Sequence, residues 1–128
     1  MAVAPRGKPL VLVVEDDPGI VSLFSFILRD LGGEVEATDD AGRALEWVRD
    51  RVYALAVLDF QVRNGTGLDV ARALRARDAA VPILMASGSW TPELREEASR
   101  IAGVIVMDKP VDVQRFRDAV AALLGCAS

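Results

Sequence analysis

The feature that most constrains the fold is a repeated alternation of short apolar runs with longer amphipathic segments. Leu10 to Val14 (LVLVV) and Ala54 to Leu58 (ALAVL) are the clearest runs, and both are typical of strands covered on two faces. Pro82 to Ala86 and Val104 to Met107 predict two further strands of this kind. Glu34 to Thr38 predicts a more polar strand, which suggests an edge position.

The segments between these runs carry helix starts and helical spacing. Asp17 followed by Pro18 predicts an N-cap and the first residue of a helix that ends near Leu31. Three more helices are predicted from a cap at Asp39 or Asp40, over Leu68 to Arg77, and from a cap at Thr91 to about Ala102. A fifth is predicted from Asp112 to Leu124. Five strands alternating with five helices imply right-handed crossovers and a doubly wound α/β domain with a mostly parallel sheet.

Length and composition narrow the possible functions. The chain has 128 residues, of which 52% are apolar, so it suits one domain with a substantial core. No apolar stretch reaches the roughly 18 residues of a membrane span, and we expect a cytoplasmic protein with no membrane partner. The formal net charge of −4 argues against nucleic acid as a direct partner.

The ends of the chain and its rare residues give weaker expectations. Met1 to Pro9 is interpreted as a disordered lead-in, Leu10 to Leu124 as the domain, and residues 125–128 as a tail. A single cysteine, Cys126, excludes an intramolecular disulfide and a cysteine metal cluster. The chain has no histidine, so any phosphate relayed through histidine would come from a partner.

The residues that directly follow four of the predicted strands are mostly charged or polar, and they lie at the sheet edge where ligands bind in open parallel sheets. These residues are Glu15, Asp16, Asp17, Asp59, Ser87, Gly88, Asp108, Lys109 and Pro110. Asp17 is explained as a helix cap and Asp108 as a solvated loop charge. The others form one candidate site.

Clustered carboxylates in this site would repel one another unless a cation offset them. Oxygen-rich sites of this kind suit Mg²⁺ or Mn²⁺, which also bind phosphate oxygens. A carboxylate can act as a nucleophile and form an aspartyl phosphate when the charge of the transferred group is stabilised. The divalent ion, Lys109 and the Ser87 hydroxyl could together surround that group.

Four segments together resemble bacterial response-regulator receiver domains over Leu10 to Leu124: LVLVVEDDP, AVLDF with its glycine-containing loop, ILMASG and DKP. The resemblance implies a flavodoxin-like sheet with strand order 2-1-3-4-5. It implies that Asp59 is the phosphoacceptor and that Lys109 and Ser87 contact the phosphoryl group.

The resemblance also implies a metal site and a set of partners. Glu15 and Asp16 would hold Mg²⁺ together with Asp59, Asp16 more directly than Glu15, and the backbone carbonyl of Gln61 would complete the protein ligands. The phosphate donor would be a sensor histidine kinase or a histidine phosphotransfer protein, and the output a downstream protein target. The protein would be a signalling switch that catalyses only its own phosphorylation and dephosphorylation, as a monomer or a phosphorylation-linked dimer.

The sequence departs from the family pattern at three places. Val106 replaces an aromatic residue that reports phosphorylation, so the output would need another mechanism, for which Trp90 is one candidate reporter. Arg63 replaces a proline and suggests a more mobile loop, and Val111 replaces an aromatic residue and suggests an altered packing contact.

Three other interpretations are weaker. A dehalogenase-type phosphatase would need a second aspartate where Gln61 stands. A flavodoxin-like FMN binder would need a phosphate loop in place of the acidic residues after the first strand. A degenerate receiver would lack chemically competent residues, and here those positions are filled.

Overall fold

A computed structural model describes residues 7–125 and shows five long strands alternating with five helices, together with two very short strands. The elements are β1 (Leu10–Val14), α1 (Pro18–Asp30), β2 (Glu34–Thr38), α2 (Ala41–Asp50), β3 (Leu55–Asp59), β4 (Gln61–Val62), β5 (Gly65–Thr66), α3 (Gly67–Arg77), β6 (Ile83–Ser87), α4 (Pro92–Ser99), β7 (Val104–Asp108) and α5 (Val113–Leu123).

The five long strands form one parallel sheet in the order β2-β1-β3-β6-β7. With the short strands β4 and β5 set aside, this is the order 2-1-3-4-5, and the predicted flavodoxin-like architecture is confirmed. The three central strands are almost entirely buried, whereas β2 is partly exposed at one edge. The more polar sequence of β2 follows from this edge position.

The sheet separates two layers of core. Successive side chains of a strand point to opposite faces, so Val11 packs toward α1 and α5 whereas Leu12 packs toward α2, α3 and α4. On the first face two aromatic rings stack with centroids 4.2 Å apart, and they belong to Phe24 and Phe116. Burial on both faces explains why the strand sequences read as continuous apolar runs.

The predicted element boundaries are wrong by one to three residues in several places. Three strands extend one residue further than expected, so Asp59, Ser87 and Asp108 are the last residues of their strands. Helix α4 ends at Ser99, and the expected extension to Ala102 instead forms a turn before β7.

The segment after β3, expected as a simple loop, contains the antiparallel hairpin β4–β5. Asn64 and Gly65 turn this hairpin with positive φ angles of 59° and 149°. Helix α3 then begins with a capping box in which Thr66 accepts from the Asp69 amide and Asp69 accepts from the Thr66 amide.

Some expectations concern residues beyond the described range. Cys126 and residues 1–6 of the proposed lead-in lie outside the described residues. Within residues 7–125 the structure contains no helix that combines the length and the apolar character needed to cross a membrane.

Candidate functional site

The carboxyl ends of four parallel strands bring the candidate residues to one edge of the sheet. The strand ladders continue to this edge, where the Phe60 amide donates to the Ala86 carbonyl over 3.0 Å and the Lys109 amide donates to the Ser87 carbonyl over 2.9 Å. The ends of β3, β6 and β7 are therefore fixed relative to one another. On the other side of β1, the amide of Glu15 donates to the carbonyl of Thr38, the last residue of β2.

Lys109 lies between two buried carboxylates. Its Nζ donates to Oε1 of Glu15 over 2.9 Å and lies 3.1 Å from Oδ2 of Asp59. Glu15 is 2% exposed, Asp59 is 6% exposed and the Lys109 side chain is 18% exposed. A cation between two carboxylates at these distances offsets much of their mutual repulsion.

Asp16 adds a third carboxylate to the same edge and is exposed. Glu15, Asp16 and Asp59 each offer an oxygen, and these oxygens lie within 4.8 Å of one another. The three form the acidic cluster, whose formal charge exceeds what one lysine neutralises. Its donors are all oxygens and one side is open, which fits the preference of Mg²⁺ for carboxylates with retained waters.

Backbone amides orient two of these carboxylates. The Asp17 amide donates to Oε2 of Glu15 over 3.1 Å, and the Gln61 amide donates to Oδ1 of Asp59 over 3.4 Å. Asp17 itself caps α1, accepting from the amides of Gly19 and Ile20 as expected from the sequence. The carboxylate of Asp17 therefore caps α1 and is not part of the acidic cluster.

Burial changes the proton affinity of the site. Burial raises the pKa of Glu15 to about 7, although the bonds from Lys109 and the Asp17 amide oppose the change. Burial likewise raises the pKa of Asp59, again against the effect of Lys109. Burial would lower the pKa of Lys109, but hydrogen bonds to the two carboxylates raise it above its ordinary value. Lys109 is therefore a permanent cation near neutral pH.

Ser87 and Asp108 end neighbouring strands and have different surroundings. Ser87 is 2% exposed, and its Oγ accepts from the Ser89 amide over 3.1 Å. The Asp108 side chain is 74% exposed and pairs with Arg95, with Oδ1 and Nη2 2.7 Å apart. Asp108 lies outside the acidic cluster, as the sequence interpretation expected.

The segment after Asp59 returns close to the end of β3, where the Gly67 amide donates to the Phe60 carbonyl over 2.9 Å. A Cβ added to Gly67 would collide with the backbone carbonyl of Asp59, so only glycine fits there. Gly67 was not predicted as a site residue. Its only signal in the sequence is its position at the end of the glycine-containing loop after Asp59. Arg63, 67% exposed, pairs with Asp39, and its amide donates to the Asp39 carbonyl.

The other departures from the family pattern occupy core positions. Val106 is partly buried against the layer that faces α2, α3 and α4, together with Trp90. Val111 packs against the opposite layer.

The chain matches the family model of the response regulator receiver domain over residues 11–121. Among curated proteins it is 28% identical over 115 residues to the transcriptional regulatory protein ZraR of Salmonella typhimurium, a match covering 90% of this chain and 26% of ZraR. It is 29% identical over 119 residues to the probable transcriptional regulatory protein TcrX of Mycobacterium tuberculosis, covering 92% of this chain and 51% of TcrX. The chain thus spans about a quarter to a half of these relatives.

Solved structures show the same fold. A CheY-like receiver domain from Methanospirillum hungatei superposes with a TM-score of 0.84 at 22% identity, over 92% of this chain and 94% of that one. The receiver domain of the sensor histidine kinase PA1611 from Pseudomonas aeruginosa, with a magnesium ion coordinated in its active-site cleft, has a TM-score of 0.78. That match is 21% identical over 92% of this chain and 98% of that one. The chain therefore belongs to the response regulator receiver domains, the signalling switches of two-component systems.

Proposed function

We propose that this receiver domain is a Mg²⁺-dependent phosphoacceptor switch in which Asp59 takes a phosphoryl group from a histidine kinase or a histidine phosphotransfer protein. The observation that carries this proposal is the placement of Lys109 within 3.1 Å of Asp59, beside the acidic cluster. Phosphoryl transfer to a carboxylate needs a nucleophile and positive charge near the transferred group. Here Asp59 supplies the carboxylate, Lys109 supplies a fixed positive charge, and the exposed Asp16 can help to bind a divalent ion.

The transfer balances without any further reactant. An Asp59 oxygen attacks the phosphorus of a phosphohistidine, the new P–O bond forms, and the P–N bond breaks with its electron pair returning to the imidazole nitrogen. Hydrolysis of the resulting acyl phosphate by water restores the carboxylate and releases inorganic phosphate. These 128 residues contain no histidine, which agrees with a phosphohistidine supplied from outside this domain.

The residues around the phosphoacceptor Asp59 either neutralise charge on the phosphoryl group or hold the divalent ion. Lys109 neutralises charge on the phosphoryl oxygens, and the Ser87 hydroxyl, whose oxygen accepts from Ser89, donates its own proton to one of them. Glu15, Asp16, Asp59 and the carbonyl of Gln61 hold the divalent ion. When bound, Mg²⁺ or Mn²⁺ supplies positive charge to the oxygens of the transferred group.

The proposed unit of function is Leu10 to Leu124, acting in the cytoplasm through contact with a downstream protein. Nucleic acid is not its direct partner in this proposal, because a net charge of −4 disfavours contact with phosphate backbones. The domain acts as a monomer or as a dimer formed on phosphorylation.

Mass spectrometry of the intact protein after incubation with acetyl phosphate tests the proposal. With Mg²⁺ we expect one added phosphoryl group, and EDTA should prevent the addition. Asp59→Asn should abolish it, because an amide is not nucleophilic at phosphorus.

Asp17→Asn is the matched control, since asparagine also caps helices and Asp17 serves α1. It should be labelled like the wild type. An unchanged mass of the wild type, equal labelling of Asp59→Asn, or many turnovers of a generic phosphomonoester would each contradict the proposal.

A further inference from the structure

Trp90 joins three segments that surround the candidate site. Its indole Nε1 donates to the carbonyl of Met107 over 2.8 Å. Its ring lies 6.2 Å from the ring of Phe60, at an interplanar angle of 47°. The guanidinium carbon of Arg95 lies 5.7 Å from its ring centroid, a cation–π distance.

The partners of Trp90 are close in sequence to the proposed site residues. Phe60 directly follows Asp59, Met107 lies two residues before Lys109, and Trp90 itself lies three residues after Ser87. The intervening residues Gly88 and Ser89 are exposed, so no buried packing holds them in place. Ser87 and Trp90 are thus separated by only two residues, one of which, Ser89, donates its amide to the Ser87 hydroxyl oxygen.

Arg95 extends these contacts to the protein surface. Besides lying over Trp90, it forms the ion pair with Asp108 at 2.7 Å, where the two side chains are 45% and 74% exposed. Val106, which packs against the same core layer as Trp90, offers only an apolar side chain to its neighbours. The indole thus contacts both the strand end beside the site and a side chain on the surface formed by α4 and β7.

We propose that Trp90 couples phosphorylation of Asp59 to the surface formed by α4 and β7. This inference rests on the proposed function. When the Ser87 hydroxyl turns to a phosphoryl oxygen, its bond with the Ser89 amide is lost and the segment to Trp90 shifts. Trp90 then leaves the Met107 carbonyl, and the Arg95–Asp108 pair is released for a partner protein.

The direction of the effect follows from which state the contacts stabilise. The bond from Trp90 to the Met107 carbonyl belongs to the resting arrangement, so its removal favours the phosphorylated one. Trp90→Phe keeps an aromatic ring and lacks the N–H. We expect this variant to bind a phosphoryl analogue more tightly by roughly two- to tenfold, the effect of one neutral hydrogen bond.

Beryllofluoride with Mg²⁺ is the probe, and ¹⁹F NMR measures its binding independently of tryptophan. The chain has two tryptophans, and Trp47 lies on α2 beside Arg51. Trp47→Phe leaves Trp90 as the sole tryptophan. In this variant the fluorescence of Trp90 should change with the same midpoint beryllofluoride concentration as the ¹⁹F binding curve. The side-chain NMR signals of Arg95 should shift with that midpoint as well, as its ion pair with Asp108 opens.

The affinity comparison uses Trp47→Phe as the matched control for Trp90→Phe, and we expect only the latter to bind beryllofluoride more tightly. Unfolding curves of both variants confirm that each is folded at the assay temperature. Binding of beryllofluoride by Trp47→Phe with unchanged Trp90 emission, or an affinity of Trp90→Phe that is no higher than that of Trp47→Phe, overturns the coupling and leaves the proposed function intact. Absence of beryllofluoride binding by the wild type overturns both.

Discussion

Glu15 should make the metal-free protein more stable at pH 5.5 than at pH 8. Burial raises its pKa from the ordinary 4.5 to about 7. A carboxyl whose pKa is higher in the folded state takes up a proton on folding between the two values, so stability falls as the pH rises through that window. Histidine, the side chain that ordinarily titrates there, does not occur in the chain.

The magnitude follows from the two pKa values. A group with a pKa of about 7 when folded and about 4.5 when unfolded raises the free energy of unfolding at pH 5.5 by about 2 kcal/mol relative to pH 8. With a urea dependence of about 2 kcal/mol/M for a domain of this length, the unfolding midpoint should increase by about 1 M. The raised pKa of Asp59 acts in the same direction, and the proton belongs to the interacting pair.

Urea unfolding in EDTA at the two pH values, followed by far-ultraviolet circular dichroism, measures this effect. Glu15→Gln removes the titrating group, and Asp59→Asn removes the charge that disfavours ionisation of Glu15, so both variants should show a flatter pH profile. Glu46→Gln, at an exposed position of α2, should keep the wild-type profile. Saturating Mg²⁺ should also flatten the wild-type profile, because the ion replaces the proton.

A wild-type urea midpoint that is unchanged or lower at pH 5.5 than at pH 8 would contradict this prediction. The same holds if Glu15→Gln shows the full increase in the urea midpoint, because the proton would then bind to another group.

Three further outcomes are expected. The hydroxyl of Tyr53, the only tyrosine, is buried and donates to Glu36 over 2.7 Å, which raises its pKa above 10. The phenolate absorbance of Tyr53 should therefore appear well above pH 10, and the free energy of unfolding should fall as the pH rises above 10. Half-ionisation of Tyr53 near pH 10 in the folded state would contradict this prediction. Gly67→Ala should lower stability by about 1–3 kcal/mol and slow labelling by acetyl phosphate, because the added Cβ meets the Asp59 carbonyl; unchanged melting and labelling would refute it. Phe116→Ala should lower the free energy of unfolding by about 3–5 kcal/mol in urea titrations, and Phe116→Leu by less; a loss under 1 kcal/mol for the alanine variant would contradict the stacked packing.

The sequence predicted the long strands well because their burial on both faces leaves a plain signature. Runs such as Leu10–Val14 are continuous and apolar, and flanking caps such as Asp17 fix where the helices begin. The rule that ligands bind beyond the carboxyl ends of parallel strands then selected one edge of the sheet. Glu15, Asp59 and Lys109 do meet at that edge.

Features that depend on tertiary contact could not be predicted. The β4–β5 hairpin has two-residue strands, too short for any periodic pattern. The need for glycine at position 67 comes from the approach of the Asp59 carbonyl, and the indole bond of Trp90 comes from β7 lying beside β6. In the last two cases the atom that imposes the constraint belongs to a different element of the fold.

Glu15 and Asp16 are adjacent in sequence but have different roles in the proposed site because one is buried and the other is exposed. Glu15 is buried and bonded to Lys109, whereas Asp16 is exposed within the same acidic cluster. An ammonium group has three donors, which is enough for Glu15, Asp59 and one phosphoryl oxygen at once. Lys109 can therefore contact an incoming phosphoryl group without leaving Glu15, and Glu15 keeps it in place after the Asp59 carboxylate has lost its own charge on forming the P–O bond. Asp16, on the solvent side, remains accessible to an arriving ion.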